Sequence, residues 1–296
     1  MSMDTINGYK IIQPWNFCGN GKYSFAEKNG EQFFIKELVY PRFPMAGSES
    51  VRKERIKECE EYEKSRKQVI DALKKVALPN GNLLYPVEIF REGAFYYEVS
   101  YRAIGKNLDM SIVSRCSKDM KMMLIKTIIA SLRLLDEAGV VYGDMKPENI
   151  QVVYDPKLNS LRGQIFDLTD SYLEKNPGKR DEVIGTTPYY SPELGKYIVE
   201  SGKLDFLKLG EKKITSKSDI FAAAIVIHMY LTGGKMPIIP QKYNYVYEAV
   251  LDNCKPLIDS RIEPEVARIL SAMLSKKSVD RPNAGEVLAL INGIDL

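Results

Sequence analysis

The spacing of apolar residues changes character once along the chain, near Gly105, and that change limits the folds open to it. Before it, short apolar stretches are broken by glycine-bearing turns, a pattern that suits strands rather than helices. Asn29-Gly30 separates Phe25-Ala26-Glu27-Lys28 from Glu31-Gln32-Phe33-Phe34-Ile35-Lys36. Asn-Gly accepts the positive φ angles of a type I′ turn, so the segment predicts a tight hairpin. Leu83 to Phe90 and Ala94 to Tyr101 predict two more strands around an Arg91-Glu92-Gly93 turn. Between these pairs, Ser50 to Val76 holds no glycine or proline, and Ile56, Cys59, Val69, Ile70, Leu73 and Val76 recur near helical spacing. That predicts one long helix capped near Ser48 or Ser50. A five-stranded sheet with one helix accounts for the first third.

After Gly105 the pattern turns helical. Lys118 to Ala138 is strongly amphipathic, and Ser216 to Leu231, Glu263 to Ser275 and Ala284 to Ile291 predict further helices. The expected class is therefore α+β: a small β-rich domain over residues 1–101 and a larger, mainly helical one over 102–296. With 296 residues, 45% of them hydrophobic and 27% charged, the chain can bury a sizeable core.

Charge excludes some partners. A formal net charge of +3, from 42 basic and 39 acidic residues, gives no global field favouring nucleic acid or an anionic membrane. The basic clusters Arg52 to Lys57 and Lys64 to Lys67 are interleaved with Glu54, Glu58, Glu60, Glu61 and Glu63, as on a solvated helix face. Cys18, Cys59, Cys116 and Cys254 form no CxxC pair, and a single histidine leaves no metal site of the zinc type. Reduced thiols, no secretory pattern in Met1 to Lys10, and an apolar run at Ile220 to Ile227 too short to cross a bilayer predict a cytoplasmic location.

The most informative stretch is Val141-Tyr142-Gly143-Asp144-Met145-Lys146-Pro147-Glu148-Asn149-Ile150. It sets a carboxylate and an amide five positions apart around a lysine and a proline-stiffened turn, and it resembles the catalytic loop of protein kinases, usually HRDLKPEN. The resemblance implies the bilobal protein kinase fold and an ATP-dependent serine/threonine kinase activity. Asp144 would then orient the substrate hydroxyl and accept its proton, Lys146 would neutralise the moving γ-phosphoryl, and Asn149 would hold a metal ion, Mg²⁺ or Mn²⁺. Tyr142 and Gly143 depart from the usual histidine and arginine. Loss of the histidine is expected to weaken a structural hydrogen bond. Loss of the arginine removes the cation that reads a phosphate on the activation segment, so activation by that route is not expected.

Further motifs follow in kinase order. Gln164-Ile165-Phe166-Asp167-Leu168-Thr169 resembles the DFG segment, which implies Asp167 as the principal magnesium ligand. Gly185-Thr186-Thr187-Pro188-Tyr189-Tyr190-Ser191-Pro192-Glu193 is similar to the GTPxYxAPE end of the activation segment, with Thr186 where serine/threonine kinases place a hydroxyl against the catalytic aspartate. Glu193 would be a buried carboxylate paired with Arg281 of Asp280-Arg281-Pro282, and Asp219 would accept backbone donors from the catalytic loop.

In the first third, Gly19, Asn20, Gly21, Ser24 and Ala26 resemble the glycine-rich GxGxxGxV loop over the phosphates, and Phe34-Ile35-Lys36 resembles the VAIK strand whose lysine reaches the α- and β-phosphates of ATP. Glu63 is the expected partner of Lys36 from the long helix, with Glu60 the next candidate. Val99 is the expected gatekeeper, and Val99-Ser100-Tyr101-Arg102 the hinge against adenine. Two alternatives stay open: a pseudokinase scaffold that binds ATP without turnover, and a small-molecule kinase. The protein substrate and the oligomeric state are not readable from the residues.

Overall fold

The computed structural model describes residues 5–18, 21–79, 81–176, 185–201 and 214–294, with the side chains of 199–201 outside that set. Gly19 and Asn20 of the expected glycine loop, and most of the segment from Tyr197 to Lys217, lie outside the described residues. The chain divides into two compact units, Met1–Ala103 and Ile104–Leu296.

The first unit is built on an antiparallel sheet. Its strands are β1 (Thr5–Ile6), β2 (Tyr9–Ile11), β3 (Asn16–Cys18), β4 (Gly21–Lys28), β5 (Glu31–Leu38), β6 (Pro86–Glu92) and β7 (Phe95–Tyr101). The order is β1-β2-β4-β5-β7-β6, with β3 also paired to β4. Seven strands stand where five were expected, because the residues before the glycine loop split into three short strands. The Asn29-Gly30 turn forms as expected, with φ of 54° and 80° at its two residues. Gly21 is fixed by a close backbone approach: a Cβ there would lie 1.9 Å from the carbonyl oxygen of Glu37. The long helix α1 (Glu49–Lys74) starts after Ser48 and buries Cys59, Arg66, Val69, Ile70 and Leu73.

The second unit contains α2 (Met110–Val113), α3 (Lys118–Glu137), β8 (Val140–Val141), β9 (Ile150–Asp155), β10 (Ser160–Ile165), β11 (Tyr172–Leu173), α4 (Pro192–Ser201), α5 (Ser216–Thr232), α6 (Val246–Leu251), α7 (Pro264–Met273) and α8 (Ala284–Asn292). Caps explain where the principal helices begin. The Ser117 and Thr215 side chains accept the amides of Met120 and Lys217 at the starts of α3 and α5, and Asn283 and Glu286 form a capping box at α8. Helix α5 ends on Gly233 in the left-handed region. It is buried on nearly every side from Ser218 to His228, which makes it the axis of this unit. Helix α3 packs on β10 and α8, and Gly163 permits this, since a Cβ there would meet Ile128 at 2.7 Å.

A buried cation ties the end of the chain to α4. Arg281, 1% exposed, donates to both carboxylate oxygens of Glu193 at 2.6 and 2.7 Å. Its remaining donors go to the carbonyls of Ser275, Lys217 and Lys276, so all five N–H groups are used. The guanidinium is the deeply buried partner; Glu193 keeps 24% of its side chain exposed, less buried than expected. Arg281→Ala is expected to destabilise this unit by about 3–5 kcal/mol, the usual loss when one partner of a buried pair is removed. Chemical denaturation with an unchanged m-value measures it.

Candidate active site

Two groups of predicted residues fall in different units. The second unit gathers one of them around the loop between β8 and β9. Asp219, near the start of α5, accepts the amides of Tyr142 at 2.8 Å and Gly143 at 2.9 Å, one on each carboxylate oxygen. Burial pushes its carboxyl up to about 7, against the pull of the two amide donors in the other direction. Gly143 has φ of 86°, a conformation that an arginine in its place would adopt only with strain.

Held this way, the loop presents Asp144. Its Oδ1 accepts the Thr186 hydroxyl at 2.7 Å, and its Oδ2 accepts Lys146 Nζ at 2.5 Å and Asn149 Nδ2 at 3.1 Å. Lys146 also donates to Thr186 Oγ1 at 3.1 Å, so lysine, threonine and aspartate close a triangle. Neither Asp144 nor Lys146 is fully buried, with 12% and 23% of their side chains exposed. A carboxylate so oriented, beside an ammonium that reaches into solvent, suits a hydroxyl nucleophile with a phosphoryl group next to it.

The segment carrying Asp167 is locked to the same loop. The amide of Phe166 donates to the Asn149 carbonyl at 3.1 Å, and the hydroxyl of Tyr142 donates to the Phe166 carbonyl at 2.6 Å. At the position where a histidine is usual, the fully buried tyrosine thus makes a side-chain hydrogen bond of its own. Burial, with the charges of Asp167 and Asp144, holds the Tyr142 phenol far above its usual range, so it remains a donor. Asp167 has φ of 55°, and Thr169, where glycine is usual, donates its hydroxyl to Asp167 Oδ1 at 2.8 Å. The threonine thus braces the carboxylate.

The donor set fits a hard cation. The Asn149 amide nitrogen donates to the carbonyl and the carboxylate of Asp144, at 3.0 and 3.1 Å, and the same side chain meets the Tyr142 hydroxyl, which leaves its carbonyl oxygen as the atom suited to a metal, with the Asp167 carboxylate the other candidate ligand. Among the described residues no cluster of three or more His, Cys, Asp or Glu forms. Two oxygen ligands completed by phosphate and water are the usual arrangement for magnesium.

The first unit holds Lys36. Directly opposed residues of antiparallel strands share a face, and successive residues alternate. The register groups Tyr23, Lys36 and Glu98 in one row and Phe25, Phe34 and Ser100 in another, both on one face. On the opposite face lie Ser24 with Ile35 and Val99, and Ala26 with Phe33 and Tyr101. Three expectations change accordingly. Val99 packs in the apolar core with Ile11, Ala26 and Ile35, and Ser100 is the residue that shares the face of Lys36, so Ser100 has the gatekeeper's orientation. Ser24 and Ala26 also point into the other face, where the Ser24 hydroxyl donates to the Gln13 carbonyl at 2.6 Å. Beside Lys36 stand instead Tyr23 and Phe34, stacked at 5.1 Å, and Phe25, edge-on to Phe34 at 6.0 Å.

Glu63 does not meet Lys36 among the described contacts. Its carboxylate accepts the Tyr96 hydroxyl at 2.8 Å and faces Lys67 at 3.4 Å. The sheet face under α1 presents Tyr96 to Glu63 and, one helical turn on, Glu98 to Arg66, whose Nε and Nη2 donate to Glu98 Oε2 at 3.1 and 2.7 Å. The sequence signal for this pair was a glutamate inside the apolar run Phe95 to Val99.

The family model described as "Protein kinase domain" matches residues 22–290. The chain belongs to the protein kinase domain family. Its curly antiparallel sheet with one long helix, followed by a mainly helical unit, is the architecture of that family. Among curated relatives, the serine/threonine-protein kinase ArnS of Sulfolobus acidocaldarius is 25% identical over 97% of this chain and 50% of its own length. Serine/threonine-protein kinase pkn3 of Myxococcus xanthus is 26% identical over 66% of this chain and 35% of its own. The calcium and calcium/calmodulin-dependent serine/threonine-protein kinase of Pisum sativum is 23% identical over 71% and 38%. This kinase domain therefore spans from about a third to a half of the length of these relatives.

Tyr142→Phe removes the donor to the Phe166 carbonyl together with the hydroxyl's hydrogen bond to the Asn149 side chain. The expected cost is about 1–3 kcal/mol for the acceptor left unpaired, read as a lower thermal midpoint.

Proposed function

We propose that this kinase domain transfers the γ-phosphate of ATP to serine or threonine hydroxyls of a protein. The observation that carries the reading is the Thr186 hydroxyl on Asp144 at 2.7 Å with Lys146 bridging both, a closed set built for a hydroxyl acceptor. The relatives named as serine/threonine kinases support it.

In this reading Asp144 aligns the attacking hydroxyl and takes its proton, while Lys146 stabilises the charge on the transferring group. Lys36 holds the α- and β-phosphates, Asn149 and Asp167 hold the metal, and the backbone of Ser100 and Tyr101 meets the base. Magnesium, when bound, supplies charge neutralisation on the phosphates. The pair Glu193 and Arg281 keeps the peptide-binding end of the activation segment in place, a feature that favours a protein over a small alcohol as substrate. Free thiols at Cys18, Cys59, Cys116 and Cys254 support a reducing, cytoplasmic setting.

Incubation with labelled ATP, Mg²⁺ or Mn²⁺ and a generic protein substrate tests the proposal. Label on serine or threonine is expected; ATP binding without transfer would leave a scaffold, and label only on small alcohols a small-molecule kinase. Asp144→Ala should lower transfer by about 10²–10⁴-fold with little change in nucleotide affinity, measured by steady-state kinetics and nucleotide titration. Asp167→Asn should in addition lose the metal dependence of nucleotide binding, measured by the same titration with and without Mg²⁺.

A further inference from the structure

The family pattern assigns the carboxylate partner of the strand lysine to the long helix. In this chain the helix brings an arginine to that row. We propose that Glu98, on the strand β7 next to Lys36, is the residue that positions Lys36, and that Arg66 secures Glu98 and α1 together. This rests on the reading of Lys36 as the phosphate-binding lysine.

Three observations converge. Lys36 and Glu98 are directly paired across β5 and β7 in an unbroken register from Phe33 to Glu37, so their side chains leave the same face. Directly opposed Cβ atoms in such a pair lie about 4.5–5.5 Å apart, within reach of a lysine and a glutamate. Lys36, Glu98 and Arg66 are all deeply buried, at 5%, 3% and 2% exposure, where a carboxylate is retained only with cationic partners. Finally, Glu63 spends its carboxylate on Tyr96 and Lys67, one turn away from this row.

The exchange of helix for strand alters what the lysine depends on. A helix-borne carboxylate arrives and departs with the helix, whereas a cross-strand carboxylate is set by backbone hydrogen bonds on both sides of the pair. Lys36 is then pre-positioned whenever the sheet is folded, and α1 is held to the sheet by Arg66 instead of holding the lysine. Glu98 acts as a positioning residue through Lys36.

Lysine side-chain NMR of the Lys36 ammonium, with ATP kinetics on the same variants, tests this. In Glu98→Gln the Lys36 titration is expected to fall by about one pH unit or more, a tenfold weaker hold on the charged form. The kcat/KM for ATP should fall by about 10-fold or more alongside it, through the loss of one charged contact. Glu63→Gln should move neither. Because Glu98→Gln leaves Arg66 buried opposite a neutral amide, the double variant Arg66→Met/Glu98→Gln serves if the single one does not fold, with a fall relative to Arg66→Met alone expected. Arg66→Met alone should lower the thermal midpoint without lowering the Lys36 titration, since loss of the neighbouring cation favours the charged lysine, whereas a Glu98 acting only through the docking of α1 would lower both. A Lys36 titration unmoved in a folded Glu98 variant, or one moved by Glu63→Gln, overturns the proposal. The titration reads the pairing even in a protein that transfers no phosphate, so failure of the kinase reading and failure of this one are distinguishable.

Discussion

Everything in the second unit's site hangs from the Asp219 carboxylate. It sits near the start of α5, a helix buried on nearly all sides, and takes the two amides that fix the loop after β8. Burying that charge is costly, as the carboxyl pushed up to about 7 shows, and the two donors offset part of the cost. With Tyr142 and Gly143 fixed, Asp144 can take the Thr186 hydroxyl on one oxygen and Lys146 and Asn149 on the other. Tyr142 extends the same constraint through its hydroxyl to the segment of Asp167. Five candidate site residues are thus oriented from one anchor.

Arg281 performs a comparable task for the segment leading into α4. Its five donors join Glu193 to three backbone carbonyls, and Lys217 returns a bond to the Arg281 carbonyl at 2.6 Å. A lysine there would make a point contact, whereas the planar fork satisfies five geometrically fixed acceptors. Departures from the family pattern are compensated locally. The tyrosine at 142 makes a hydrogen bond of its own, the glycine at 143 matches a positive φ, and the threonine at 169 braces Asp167.

In the first unit the deciding constraint is strand register. Which face a residue occupies follows from parity once the pairing is known, and a shift of one residue reverses every assignment. Matching Ser24 and Ala26 to the glycine-loop motif, and Val99 to the gatekeeper, placed them one residue out of phase with Lys36. The actual pairing puts Phe25, Phe34 and Ser100 on its face. Helix α1 shows the same limit in another form. Glu63 and Arg66 both face the sheet, but only the docking of helix on sheet selects which of them meets the row of Lys36 and Glu98.

The sequence by itself determined the elements and the chemistry of the catalytic loop. The Asn-Gly hairpin and the approximate limits of α1, α3, α5, α7 and α8 follow from residue type and short spacing, which act locally, and the resemblance of short motifs to those of protein kinases supplied the order of Asp144, Lys146, Asn149, Asp167 and Thr186. Tertiary structure alone decided the sheet register, the substitution of Arg66 and Glu98 for a helix glutamate, and the hydrogen bond that Tyr142 makes where a histidine is usual. Each of those depends on which backbone lies opposite a residue distant in sequence, and local propensities carry no information about that.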